Sequence, residues 1–112
     1  MRNIPKRMKR LLREQAARAY EAELRQALLP LAEAFEQWKA GQVESGELCE
    51  LIHAFHQGPA RELHTRYTAA WLDVVVARAI ADGLLDRQTV PAEVLDYLRP
   101  LLTLHDQDCS PP

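Results

Sequence analysis

The segment ELIHAFHQGPARELH, residues 50–64, contains three of the four histidines of the chain, and Cys49 precedes it directly. Imidazole and thiolate are ligands that zinc accepts in tetrahedral sites. His53 follows Cys49 by four residues and precedes His56 by three, and both spacings bring side chains together on a helix. His64 lies just beyond a glycine-proline step. The sequence therefore offers a candidate metal site at His53, His56, His64 and Cys49.

Three other interpretations of this segment stay open. Glu50 and His53 have the spacing of the carboxylate–histidine pairs in di-iron helical bundles, although the chain has no second pair of this kind. A thiol at Cys49 beside His53 could act as a nucleophile. In the third interpretation, which we favour, the segment is a polar corner between two helices, where Arg61 and Glu62 are candidate binding residues. We predict no cofactor apart from the zinc alternative, and a non-enzymatic protein is the favoured expectation.

The first 18 residues form a basic arm. They carry seven basic residues and one acidic residue, a net charge of +6, whereas residues 19–112 carry seven basic and 15 acidic residues, a net charge of −8. This asymmetry is typical of a segment that contacts an anion. Nucleic acid, an anionic lipid surface and the acidic body of the protein or of a second copy stay open as that anion. The predicted contact residues are Lys6, Arg7, Lys9, Arg10 and Arg13.

A long first helix must position this arm. Apolar residues recur at steps of mostly three and four from Ile4 to Trp38, which indicates one amphipathic helix. Asn3 is the predicted N-cap, and Gly41 is predicted to end the helix. Pro30 predicts a kink, because the apolar stripe keeps its phase on both sides of it.

Shorter amphipathic segments follow the first helix. No segment shows the period-two alternation of a strand, so the predicted fold class is all-α, a compact bundle of about four helices with a long kinked first helix. Residues 1–104 are expected to form a single domain, with a flexible C-terminal tail at residues 105–112. The three shorter helices are expected at about residues 45–57, 59–82 and 90–99. They are predicted to end at Gly58, Gly83 and Pro100, respectively.

Composition narrows the function classes. The 112 residues suffice for one domain, and no apolar run is long enough for a membrane span. Two cysteines give no disulfide framework, and no signal peptide is recognised, so we expect a cytoplasmic protein.

We predict a small, self-associating interaction or regulatory module that forms a homodimer or binds a protein partner, because 112 residues are too few for a core plus a large enclosed cavity. The apolar stripe of the first helix is longer than the shorter helices can cover, and leftover apolar surface favours association. A nucleic-acid-binding regulator that uses the basic helix is the first alternative. A metal-dependent enzyme or metal sensor at His53, His56 and His64 is the second.

Overall fold

The computed structural model describes the backbone of residues 4–69 and 71–108. All regular secondary structure in these residues is helical, which confirms the predicted all-α fold class. A π-helical turn (His56–Ala60) joins the second α-helix to the third without a gap, so the α-helices of the described chain form four units. A short 3-10 helix (Arg87–Thr89) precedes the last of them. The α-helices are α1 (Lys6–Lys39), α2 (Ser45–Phe55), α3 (Arg61–Ala69), α4 (Leu72–Ala81) and α5 (Ala92–Asp108).

Helix α1 spans the whole molecule. Its 34 residues correspond to about 51 Å at 1.5 Å per residue, and the longest dimension of the molecule is 52 Å. The helix continues through Pro30, and Gly41 follows it with a φ of 79°, as expected for a glycine that ends a helix. The predicted N-cap, Asn3, lies outside the described residues.

The main hydrophobic core lies where the first half of α1 meets α4 and α5. Leu12 of α1, Val76 of α4, and Val94 and Leu98 of α5 are fully buried there. Six of the ten residues of α4 are buried, because this helix packs between α1 and α5. Burial on several faces explains why its sequence is apolar on several faces.

The second half of α1 packs against a thinner layer. It runs beside α2, and α3 lies along the middle of α1. We call the second half of α1 together with α2 the hairpin. Among its described residues, the buried apolar side chains are Ala34 and Leu48, to which α3 adds Leu63. The hairpin therefore has a much smaller core than the other end of the molecule.

The predicted helix stop at Gly58 is wrong. The positive φ angles of the described glycines are at Gly41 and Gly83, and Gly58 lies inside the π turn. Pro59 has no N–H, and its ring would clash with the carbonyl group of Phe55 in a regular α-helix. A π turn spaces its hydrogen bonds by five residues and so accommodates the proline. The chain continues as one helical unit here instead of turning a corner.

Two other predicted helix limits also differ from the structure. The segment expected to form one helix over residues 59–82 is divided, because Trp71 is extended, with a ψ of 138°, at the N-terminus of α4. The apolar period continues across this break, so the pattern contains no stop signal. At the C-terminus, α5 passes through Pro100 and includes residues 105–108 of the predicted tail. Burial of Leu98 and Leu102 on either side of Pro100 offsets the backbone hydrogen bond that the proline removes.

Candidate binding surfaces

The basic arm has two flanks with different roles. One flank faces the C-terminal part of the chain, where Arg7 holds Glu93 of α5 through two contacts, Nη2–Oε1 at 2.7 Å and Nε–Oε2 at 3.3 Å. About three helical turns further on, Arg18 donates to the side-chain and backbone oxygens of Thr89 at 2.9 and 3.3 Å. The hydrogen bond and charge of Arg7 hold the pKa of Glu93 below its usual value. This flank fastens α1 to the C-terminal part of the chain.

The other flank of the arm faces solvent. At about 100° per residue, Lys6, Lys9, Arg13 and Tyr20 fall within a 60° sector of α1. The three basic side chains are exposed and form no ion pair within the described part of the chain. Arg10 is close enough to Glu93 for its charge to lower the pKa of that carboxyl group. Of the predicted anion contacts, Lys6, Lys9 and Arg13 are therefore left to face a ligand; we call these three residues the basic face.

Helices α1 and α3 meet through a joint of aromatic and charged side chains. The Tyr20 and Tyr67 rings are 5.1 Å apart between centroids, and Arg66 forms an ion pair with Glu23 at 3.2 Å. Burial, together with the hydrogen bond and charge of Glu23, raises the pKa of Tyr67. The joint fixes α3 against α1 directly beyond the basic face.

Two adjoining clefts lie along this joint, and together we call them the α1–α3 cleft. They have volumes of about 330 and 470 Å³ and share Tyr20 and His64 as lining residues. Arg13 lines the first, and Arg61 lines the second. No carboxylate side chain lines either cleft among the described residues. The basic face therefore leads into a concave surface on which Arg13 and Arg61 lie beside aromatic, imidazole and small apolar side chains.

The structure divides the histidine cluster. His56 and His64 line the same cleft, whereas His53 and Cys49 are exposed on α2 and do not line it. Within the described residues, no three His, Cys, Asp or Glu side chains are grouped closely enough to hold a metal ion. The candidate set of His53, His56, His64 and Cys49 is therefore not brought together.

In a regular α-helix, His56 and His64 would differ by about 80° in direction. The π turn advances less per residue and so brings the two imidazoles toward one side.

The side chains of the other predicted binding pair, Arg61 and Glu62, line different surfaces. Arg61 lines the α1–α3 cleft, but Glu62 lines a different depression that includes Glu23 and Leu63. Tyr20 is the residue that sequence analysis missed, because its place on the apolar stripe suggested only core packing. Its position in the same sector as Lys6 and Arg13 is the signal that could have identified it.

A second candidate surface is apolar and lies on the hairpin. The stripe on the second half of α1 is only partly covered, and we call its five members the apolar ridge. Leu28, Phe35 and Trp38 of this ridge keep 44%, 37% and 41% of their surface exposed. Six of the ten exposed large apolar side chains in the described chain lie on the hairpin, including Leu51 and Ile52 of α2. The ridge consists of Leu24, Leu28, Leu31, Phe35 and Trp38.

Beside the ridge, α1 has a shallow groove of about 300 Å³. Its apolar lining includes Leu24, Leu28 and Ala32, and its rim carries the ion pair between Glu21 and Arg25 at 3.4 Å. A groove with an apolar floor and a charged rim has the anatomy of a protein interface.

No family model, curated protein or solved structure matches this chain. None of the helices in the described residues is long and apolar enough to cross a membrane.

Proposed function

We propose that the protein is a self-associating helical module, in which the apolar ridge of one copy packs against the apolar ridge of a second copy. The partial exposure of the ridge is the observation that carries this proposal. Half-exposed Leu28, Phe35 and Trp38 form a row on one helix, whereas exposed apolar residues on monomers are usually scattered. Pairing two hairpins through this row would produce a four-helix arrangement with a continuous core.

The total surface of the molecule supports an additional interface. The chain exposes 8058 Å² at a mass of 12.8 kDa. A folded monomer of this mass typically exposes about 6300 Å². A second copy on the hairpin would cover part of this excess.

The charges beside the ridge favour a second copy as the occupant. Suppose that two α1 helices pack antiparallel with Pro30 at the centre of the contact. Residues of the two copies then lie opposite each other when their numbers add up to about 60. Glu21 then faces Lys39 of the second copy, and Arg25 faces Glu36 of the second copy. Two-fold symmetry repeats each pair, so four attractive contacts lie beside the line of contact between the two ridges, which we call the seam.

The packing along this seam is complementary as well. In the same register, Leu28 of one copy lies opposite Ala32 of the other. A large side chain then meets a small one on both sides of the two-fold axis, which allows close packing of the two helices. Ala32 lines the same groove as Leu28, so the groove can receive the leucine of the second copy.

Light scattering on the full chain at micromolar concentration tests the proposal. We expect the wild type to have the mass of a dimer and the Leu28→Glu variant to have the mass of a monomer, because the substitution places a charge in the seam. Gln26→Glu is the matched control, since Gln26 is exposed on the same helix and faces away from the ridge. A monomeric wild type, or a Leu28→Glu variant that stays dimeric, would contradict the proposal.

A further inference from the structure

We propose that the basic face and the α1–α3 cleft together bind single-stranded nucleic acid, a site separate from the apolar ridge. Two groups of basic side chains can be distinguished in the described chain. Arg7, Arg18 and Arg66 are held by neighbouring side chains or backbone groups. Lys6, Lys9, Arg13 and Arg61, in contrast, have no ion pair within the described chain, and all four border this one surface.

The spacing of these cations fits an extended polyanion. Lys6, Arg13 and Tyr20 follow each other at intervals of seven residues, or about 10 Å along α1. Arg61 and His56 continue the surface beyond Tyr20 on the opposite wall. The surface that starts at Lys6 and passes Tyr20 to reach Arg61 is about 20 Å or more in length, which suits successive phosphates of a nucleic-acid strand better than one compact phosphate group.

The cleft also offers groups that recognise bases. Tyr20 is partly exposed in its floor, and His56, Gln57 and His64 provide side chains that donate and accept hydrogen bonds. Tyr67, which also lines the cleft, is partly exposed as well. Aromatic side chains beside a basic groove are the usual means by which proteins stack the bases of single strands.

The structure favours a nucleic acid over a lipid surface. A basic amphipathic helix binds a membrane by inserting its apolar side. Here Leu11 and Leu12 are buried in the main core, and Met8 packs against the same core. The apolar side of the arm is therefore already occupied.

The concave shape favours a single strand over a duplex. A helix that reads a duplex must protrude into the major groove. Around Arg13 and Tyr20, α3 stands beside α1 and forms the second wall of the cleft. A flexible strand can enter this cleft, whereas a rigid duplex can touch only its edge.

Fluorescence anisotropy with a fluorescein-labelled oligouridylate of about 16 nucleotides tests the site on the full chain. We expect four basic side chains to contact phosphates. A plot of the logarithm of the binding constant against the logarithm of the salt concentration should then have a slope of about −2.8. The Arg13→Gln, Arg61→Gln double variant should bind roughly tenfold or more weakly at low salt, with a slope near −1.4. Both arginines are exposed, so the double variant should keep the melting temperature of the wild type.

Arg99→Gln is the control, because it removes an exposed arginine of α5 that pairs with Asp96 away from the cleft. It should bind the oligonucleotide within about twofold of the wild type. Equal binding by the double variant and the wild type would overturn the proposal. So would duplex RNA of the same length that binds as tightly as the single strand, or phosphatidylserine vesicles that bind while the oligonucleotide does not.

Discussion

Tyr20 of α1 and Tyr67 of α3 pack ring against ring, with 5.1 Å between centroids and planes tilted by 46°. This contact joins the two helices, although the two tyrosines are 47 residues apart in sequence. It also forms part of the wall of the α1–α3 cleft, since both rings line the portion that includes Arg13. An aromatic pair of this kind is worth about 0.5–1.5 kcal/mol beyond the area it buries. The joint therefore both positions the candidate site and stabilises it.

The hydroxyl group of Tyr67 should make stability sensitive to alkaline pH. Burial and Glu23 raise its pKa in the folded state above the ordinary value of 10.0, so the folded protein keeps the proton longer than the unfolded chain. The resulting stabilisation is complete below about pH 10 and is lost as the pH rises toward the folded-state pKa. In Tyr67→Phe, which keeps the ring, this loss should be absent. Melting temperatures of both proteins from neutral to alkaline pH provide the measurement, and parallel curves would refute the effect.

The contact between Arg7 and Glu93 should make a smaller contribution with the opposite pH dependence. Because Arg7 lowers the pKa of Glu93, the stabilisation is present above about pH 4.3 and is lost as the pH falls through the lower folded-state value. Glu93→Gln should reduce the melting temperature at neutral pH, and the difference should vanish in acid and shrink in high salt. Glu33→Gln, at an exposed position of α1, is the control and should leave the melting temperature unchanged at every pH. A difference that persists in acid would show that the ion pair is not its source.

Two leucines of α1 should respond differently to truncation. Leu12 is fully buried in the main core, so Leu12→Ala should reduce the free energy of unfolding by about 2–5 kcal/mol at any protein concentration. Leu28→Ala, on the ridge, should have little effect in dilute solution and a growing effect at concentrations where the dimer forms. Chemical denaturation followed by circular dichroism at two concentrations distinguishes them. An equal loss for both variants in the dilute sample would mean that Leu28 is buried within the monomer.

The antiparallel register can be tested by exchanging charges. A variant with Glu21→Lys, Arg25→Glu, Glu36→Lys and Lys39→Glu keeps the ion pairs within each helix and between two identical copies. It should therefore form a homodimer like the wild type. Mixed with wild type, it would place like charges opposite each other, so native mass spectrometry should find far less heterodimer than the statistical half. A statistical mixture would rule out this register.

Much of the helical architecture is determined locally and could be predicted from the pattern of residues. The period of apolar residues places α1 correctly, and Gly41 and Gly83 end helices because each adopts a positive φ. The apolar surface of the segment that became α4 correctly indicates burial on several sides. These features depend on the preferences of neighbouring residues, which the sequence contains in full.

The tertiary structure alone decided the rest, because it depends on contacts between residues far apart in the chain. Local rules for Gly58 and Pro59 predicted a corner, whereas packing of α2 and α3 along α1 favours a π turn that directs His56 and His64 to one cleft. The same is true of the basic arm. The position of Glu93 decides that the flank of α1 with Arg7 is bound to α5, whereas the flank with Arg13 faces the cleft. The sequence therefore determined which residues are basic or apolar, and the packing of the helices decided which of them remain available to a partner.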